Sequence, residues 1–340
     1  MTRRKQPTVS VALAAYNGER FIRQQVIGIL DQDRPIDQLV VADDGSTDST
    51  LDIVRDLVRS RGRGTELVVL EPGTVPLGPT ENFVRAVRRS TSEVVILADQ
   101  DDMWSERRVA AALAHFEQDP AAWIVAHDAQ LIDARGENLA ISTFDSMGVT
   151  SEEIRLLSSA NAMVALSRRN VLAGMSFALD RRLLDTAFPI PPGWMHDYWL
   201  ACWAGARGRL RVVADPSVLF YRQHDQNVYG AGSRRLRIRA RRLLTTESDA
   251  TVMRDRFEAL VQRLEACDDV DEGIVDLVRG KRDFERIRAG MPAAPAARFV
   301  GVARQAAAGK YAQYGSNGTW NMIRDVIHPP KTEGTGAPDE

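Results

Sequence analysis

The run from Val94 to Trp104, VVILADQDDMW, passes directly from four apolar residues and an alanine into a block that holds three aspartates. Val94, Val95, Ile96 and Leu97 read as a strand buried on both faces, the signature of a parallel sheet inside an α/β domain. Asp99-Gln100-Asp101-Asp102 then stands at the carboxyl end of that strand, where open α/β sheets place their ligands. Crowded carboxylates repel one another and are costly to bury unpaired. A divalent cation resolves the conflict, since Mg²⁺ and Mn²⁺ take hard oxygen ligands and also clamp phosphates. The same residues read equally as a solvated acidic turn before a helix opened by Ser105 and Glu106.

The sequence before this run alternates strand-type and helix-type segments. Strands are predicted over 9–14, 39–42 and 67–70, each a short apolar run. Helices are predicted over 19–30, over 48–59 with Ser46 or Thr47 as its cap, and from Asn82 to Arg89. Strands alternating with helices imply βαβ units and a parallel, nucleotide-binding sheet. At the strand tips, Asp44 suits a hydrogen bond from a base imide N–H, and Tyr16 offers a face for stacking on a base. Both also have plain structural readings, a capped turn at Asp43-Asp44-Gly45 and a partly buried aromatic. The first strand leads into neither G-x-G-x-x-G nor G-x-x-x-x-G-K-[ST], which removes the main support for dinucleotide and P-loop sites. Gly45 stands two residues after Asp43, so an aspartyl phosphatase pattern fails on spacing.

Taken in order, SVALAAYNGERFIRQQVIGILDQ, VVADDGSTDSTLDIV, LGPTENFVRAV and VILADQDDMW resemble the family 2 glycosyltransferases of GT-A fold. The likeness runs from about Val9 to Gly230 and is nearest to the bacterial rhamnosyltransferase-like branch. It implies a Rossmann-like mixed α/β sheet flanked by helices, with a helical C-terminal extension. It implies that the D-x-D element Asp99-Gln100-Asp101 holds a divalent ion, Mn²⁺ or Mg²⁺, against the diphosphate of a nucleotide-sugar. Tyr16 and Asp44 fall on the base-binding positions, with Ala14, Asn17, Glu19, Asp43 and Asn82 beside them. Ala14-Ala15 replace the hydroxyl residues common there. Asp102 and Trp104 would support the metal element.

The resemblance continues downstream. Asn170 to Met175 is similar to the family's glycine-bearing loop, where Gly174 permits close approach of a donor sugar or acceptor; a simple turn glycine is the other reading. Trp194-Met195-His196-Asp197-Tyr198-Trp199 resembles the H-D-W-W or E-D segment that opens a helix, and the resemblance makes Asp197 the catalytic base. His196 would orient, and Trp199 would support. Chemistry asks for such a group, because an acceptor hydroxyl must lose its proton as it attacks the anomeric carbon. Tyr221-Arg222-Gln223-His224 is similar to the family's Y-R-Q-H, which implies His224 as a metal ligand and Arg222 facing a diphosphate oxygen.

With 340 residues the chain exceeds one average domain. A catalytic domain is expected over 1–230, its nucleotide-sugar half at about 1–104 and its acceptor half at about 105–230. A helical extension is expected over 231–328 and a disordered tail over 329–340. Further strands are expected at 123–126, 210–214 and 218–221, and a loop or short helix within 141–155. The net charge of −2 argues against a nucleic-acid partner. Cys202 and Cys267 are too few for a disulfide framework. No window suits a membrane span, so a cytoplasmic protein is expected. The arginine-rich run 234–244 has the pattern of a basic amphipathic helix, offering a peripheral contact with an anionic membrane or simply packing on its own domain. The expected function is metal-dependent, inverting transfer of a sugar, rhamnose by the branch resemblance, from a dTDP- or UDP-sugar to a hydroxyl of a cell-surface glycan or lipid-linked acceptor. A non-catalytic nucleotide-sugar or membrane-surface binding protein and a metal-dependent nucleotidyltransferase are the alternatives.

Overall fold

The computed structural model describes residues 6–73, 75–224, 250–316 and 319–328. The arginine-rich run 234–244 and the tail 329–340 lie outside them. The apolar runs become β1 (Val9–Ala15), β2 (Gln38–Asp43), β3 (Glu66–Leu70) and β4 (Val94–Asp99). The helices between them are α1 (Ile22–Leu30), α2 (Thr50–Arg61) and α3 (Pro79–Arg89). Strand β1 runs parallel to both β2 and β4, in a register that pairs Ala15 with Asp43 and Ala14 with Asp99. Two acidic strand ends thus flank the end of β1. Val11, Leu13, Leu39, Val41, Ile96 and Leu97 are wholly buried, each stabilising the sheet by roughly 1.5–3 kcal/mol relative to exposure.

After β5 (Met103–Trp104) come α4 (Arg108–Gln118), β6 (Ile124–His127), β7 (Gln130–Ile132) and β8 (Asn138–Ser142). Then follow α5 (Thr143–Met147), α6 (Ser151–Leu157), α7 (Ala162–Leu166), β9 (Phe177–Asp180), α8 (Arg181–Ala187), α9 (His196–Gly205), β10 (Leu210–Val213) and β11 (Leu219–Arg222). The main sheet has seven strands in the order β10-β6-β9-β4-β1-β2-β3. Strand β9 is antiparallel to both its neighbours, β4 and β6, so the sheet is mixed. A four-stranded sheet, β5-β11-β7-β8, brings β11 against the residues that follow β4. The 141–155 stretch holds two short helices, capped by Ser142 and by a Thr150–Glu153 capping box.

One expected cap is corrected. Helix α2 starts at Thr50, after Ser49, and not behind Ser46 or Thr47. Those two residues serve the turn instead: Ser46 donates its hydroxyl to Asp43 and accepts the Asn17 N–H, while the Thr47 amide bonds the Asn17 side chain.

Contacts divide the chain into two compact units. One holds the described residues of 1–160, 171–190 and 195–231, including both sheets. The other holds 161–170, 191–194 and the described residues beyond 232, so α7 belongs with the C-terminal helices. Those are α10 (Ala250–Glu265), α11 (Glu272–Ala289), α12 (Pro295–Ala307), α13 (Lys310–Tyr314) and α14 (Thr319–Ile327). Phe284, Met291, Val302, Tyr311 and Tyr314 form an apolar cluster in this unit. Beside it lies a buried ionic network. Lys281 and Arg288 both meet Glu285, and Arg288 holds both oxygens of Asp325 at 2.6 and 2.8 Å. Among the described residues, no helix is long and apolar enough to cross a membrane.

Candidate active site

The turns after β1 and β2 interlock by hydrogen bonds. Asn17, in the left-handed region at φ 46°, donates its N–H to Ser46 Oγ at 2.9 Å and accepts from the Thr47 amide at 2.8 Å; asparagine tolerates that conformation. Glu19 accepts from the Ser49 amide at 3.1 Å, and its own N–H bonds Asp48 at 3.1 Å. Asp43 is buried and closes its own turn through Gly45 and Ser46. Asp44 accepts the amides of Leu77 and Gly78, one on each oxygen at 2.8 Å. Asn82, on α3, reaches the Ala42 carbonyl at 2.7 Å and that of Ala15 at 3.4 Å. These residues shape a rim around Tyr16, which is 51% exposed.

Gln100 joins this rim to the acidic element. Its amide accepts the Tyr16 N–H at 2.8 Å and donates to the Tyr16 carbonyl at 2.9 Å. Gly18 leaves room for it, since a Cβ there would overlap the Gln100 side chain and oblige it to move. Ala14, half-buried, pairs in register with Asp99.

Carboxylate oxygens of Asp99, Asp101 and Asp102 all lie within 4.8 Å of one another. Burial, and then the charges of Asp101 and Asp197, raise the Asp99 carboxyl to about 8. Burial and the other two aspartates likewise raise Asp102. Asp102 Oδ1 accepts the Arg222 amide at 3.2 Å, whereas buried Oδ2 meets no hydrogen-bond donor among the described residues. This donor set fits a divalent cation: hard oxygens, mutual repulsion and a buried carboxylate oxygen without a donor. His224 Nε2 lies 2.8 Å from Asp101 Oδ2, and its ring stacks on Phe21 at 4.7 Å. Asp102 is thus drawn into the acidic cluster itself, where the resemblance implied only a supporting place.

Arg222, expected to face a diphosphate oxygen, makes several contacts within the protein. Its guanidinium donates to the Asp101 carbonyl and to Gln24, both at 2.7 Å, reaches the carbonyls of Asp133 and Ala134, and lies over the Phe21 ring. It holds the turn after β4 in place. The signal for this was weak, because Gln24 and Phe21 read from sequence only as positions on a helix.

Asp197 sits in the first turn of α9, close enough to Asp99 to act on its charge. Its Oδ1 accepts the Tyr198 amide at 2.5 Å. His196, the first residue of α9, packs against Phe83 and Gly174. Trp199 is buried and donates to the Ala187 carbonyl at 2.7 Å, fixing the start of that helix. Trp104, also buried, lies against Gly28 of α1. Sequence reasoning missed Arg108, a wholly buried cation that donates to His127 Nδ1 and to the Ser176 carbonyl, each at 2.7 Å. Burial lowers it to about 9. A single arginine in an amphipathic helix gives no sequence sign of such a role.

Comparison with known proteins bears on the family likeness and the fold. Residues 10–168 match the family model of glycosyl transferase family 2. An uncharacterized glycosyltransferase of Nostoc sp. is 24% identical over 64% of this chain and 66% of its own. The chain therefore spans slightly under two thirds of that relative. The dTDP-rhamnosyl transferase RfbG of Shigella flexneri is 22% identical over 64% of this chain and 74% of its own. Among solved structures, Staphylococcus aureus TarS (residues 1–349) in complex with UDP-GlcNAc superposes with a TM-score of 0.57 at 17% identity, covering 94% of this chain and 90% of the other. The mannosyltransferase of Pyrobaculum calidifontis, in complex with GDP-Man and Mn²⁺, gives 0.51 at 20% identity, covering 95% and 85%. These two likenesses bear on the fold. Residues 10–168 thus carry the likeness to glycosyl transferase family 2, and the sheet order with its flanking helices is a GT-A fold.

Proposed function

We propose that this chain is a metal-dependent, inverting glycosyltransferase that moves a sugar from a nucleotide-diphosphate sugar to an acceptor hydroxyl. The observation that carries the reading is the convergence of Asp99, Asp101 and Asp102 with Asp197 at the carboxyl end of β4. Asp99, Asp101 and Asp102, with His224 beside Asp101, would hold Mn²⁺ or Mg²⁺. When bound, such an ion supplies positive charge against the departing nucleoside diphosphate. Tyr16 offers its exposed face to the base. Asp44 keeps a second lone pair on each oxygen for a base N–H, with the amides of Leu77 and Gly78 fixing its direction. Asp197 takes the proton of the acceptor hydroxyl as it attacks, and a single displacement inverts the anomeric centre. Arg222 steadies the frame around these residues.

The similarity to RfbG and the motif likeness favour dTDP-rhamnose as donor, with a UDP-sugar as the rival; the TarS likeness, at the level of fold, is compatible with either. A cell-surface glycan or a lipid-linked saccharide is the proposed acceptor, met at the cytoplasmic face of the membrane.

Titration of the full chain with UDP-, dTDP- and GDP-sugars, with and without Mn²⁺, tests the reading. One nucleotide class should bind in a metal-dependent way, and Asp101→Ala should weaken it at least about tenfold. Asp197→Asn should keep donor affinity within about threefold while transfer falls by about 10²–10⁴. Failure of the folded protein to bind any of these donors would point to a non-catalytic role instead.

A further inference from the structure

His196 is 94% buried by its 6% residual exposure, yet neither Nδ1 nor Nε2 meets a hydrogen-bond partner among the described residues. Buried polar side chains are overwhelmingly satisfied, so both nitrogens call for an explanation. The ring is closely held. Phe83 of α3 tilts against it at 4.5 Å, and the turn Gly174–Ser176 comes so near that a Cβ at Gly174 would overlap Nε2. Burial lowers the imidazole to about 4. A neutral ring presents one N–H donor and one bare acceptor nitrogen.

Whichever nitrogen a ligand reaches, a hydroxyl can answer it, giving a hydrogen bond to a bare nitrogen or taking one from an N–H. A phosphate or carboxylate would satisfy only the N–H, and a cation only the bare nitrogen. Position narrows the choice. The next residue is Asp197, and α3, the Gly174 turn and α9 all meet around the ring. Gly174, with no side chain, leaves the imidazole its place there.

We propose that His196 is a specificity-determining residue that hydrogen-bonds a hydroxyl of a bound sugar beside Asp197. The proposal rests on the glycosyltransferase reading above. The hydroxyl belongs either to the transferred sugar or to the acceptor, and the two sources respond differently to the same substitutions.

The test compares the full-length wild type with His196→Phe, which keeps a flat ring against Phe83, and His196→Asn, which keeps a donor and an acceptor. The probes are the nucleotide-sugar that the wild type binds, its free nucleoside diphosphate and the acceptor. If the hydroxyl is the donor's, His196→Phe weakens the nucleotide-sugar about tenfold and leaves the free diphosphate within about twofold. If it is the acceptor's, both donor affinities hold and the acceptor KM rises about tenfold. In either case His196→Asn recovers part of the loss. All three constants within about twofold of wild type would overturn the proposal and leave His196 a packing residue. Should His196→Phe fail to fold, singly deoxygenated substrates decide: wild type must discriminate against at least one of them about tenfold, and uniform acceptance overturns the proposal. A wild type that folds but binds no nucleotide-sugar overturns the function reading as well, a result distinct from the first.

Discussion

At Asp99, burial and the charges of Asp101 and Asp197 push the carboxyl up to about 8. Near neutral pH the folded protein therefore holds a proton there that the unfolded chain, titrating near 4, has released. The stability this contributes is full below about pH 4 and is lost as pH rises through about 8. A divalent ion needs the same oxygens, so binding must displace the proton. Mn²⁺ affinity is expected to climb by about tenfold per pH unit from about pH 6 and to level off above about pH 8. Calorimetric titration across that range checks it, and a flat profile would remove Asp99 from the ligand set. The sign is opposite at His196, whose pKa falls to about 4. Its stability is full above the unfolded value near 6.5 and is lost as pH falls through 4. By pH 4 the wild type should lose about 3 kcal/mol more than His196→Phe, measured by denaturant unfolding. Equal acid profiles would show that the ring is not held neutral by burial.

Among elements, the strands were the most legible part of the chain, since β1, β2 and β4 are mostly apolar and buried on both faces. The helix caps were less so. Ser46 and Thr47 carry every local feature of an N-cap, but the tertiary partners Asp43 and Asn17 claim them. The same limit applied to the site. Chemistry-bearing side chains could be chosen by type and order, but the direction of Arg222 depends on Phe21 and Gln24, residues with no distinguishing chemistry. The link between β1 and β4 was hidden too, because it is made by Gln100 through the backbone of Tyr16. Gly18→Ala should break this link, since the added methyl displaces the Gln100 amide. A stability loss of about 0.5–1.5 kcal/mol is expected, from the Gln100–Tyr16 hydrogen bonds. In Gln100→Ala the obstacle is gone, so adding Gly18→Ala should cost markedly less, and the two changes should be non-additive. Strict additivity in a double-mutant cycle would show that Gly18 serves the turn for another reason.

At the scale of the whole molecule, the two units are held by different physics. The sheet unit rests on apolar strands and a site whose crowded, buried carboxyls resist ionisation. In the helical unit, opposite charges are matched instead. Lys281, Glu285, Arg288 and Asp325 are all at most 3% exposed. Burial works against the charge of Arg288, and Asp325 and Glu285 more than offset it, so its pKa is raised. Tyr311 adds a hydrogen bond to Asp325 at 2.7 Å. Such a network contributes little net stability over an apolar packing of the same shape, but removing one partner leaves a buried charge behind. Asp325→Ala leaves Lys281 and Arg288 sharing Glu285, a buried group with one excess positive charge, removes the Tyr311 hydroxyl's partner, and should cost about 3–5 kcal/mol in thermal or denaturant unfolding. Replacing Arg288 and Asp325 together by Met and Leu should cost less than Asp325→Ala alone, since no uncompensated charge stays buried. Neither variant touches Asp99, Asp101 or Asp102, so Mn²⁺ affinity of the folded protein should stay within about twofold. If Asp325→Ala left stability unchanged, the network would have to be solvated in solution, and the helical unit would be more open there than its buried charges imply.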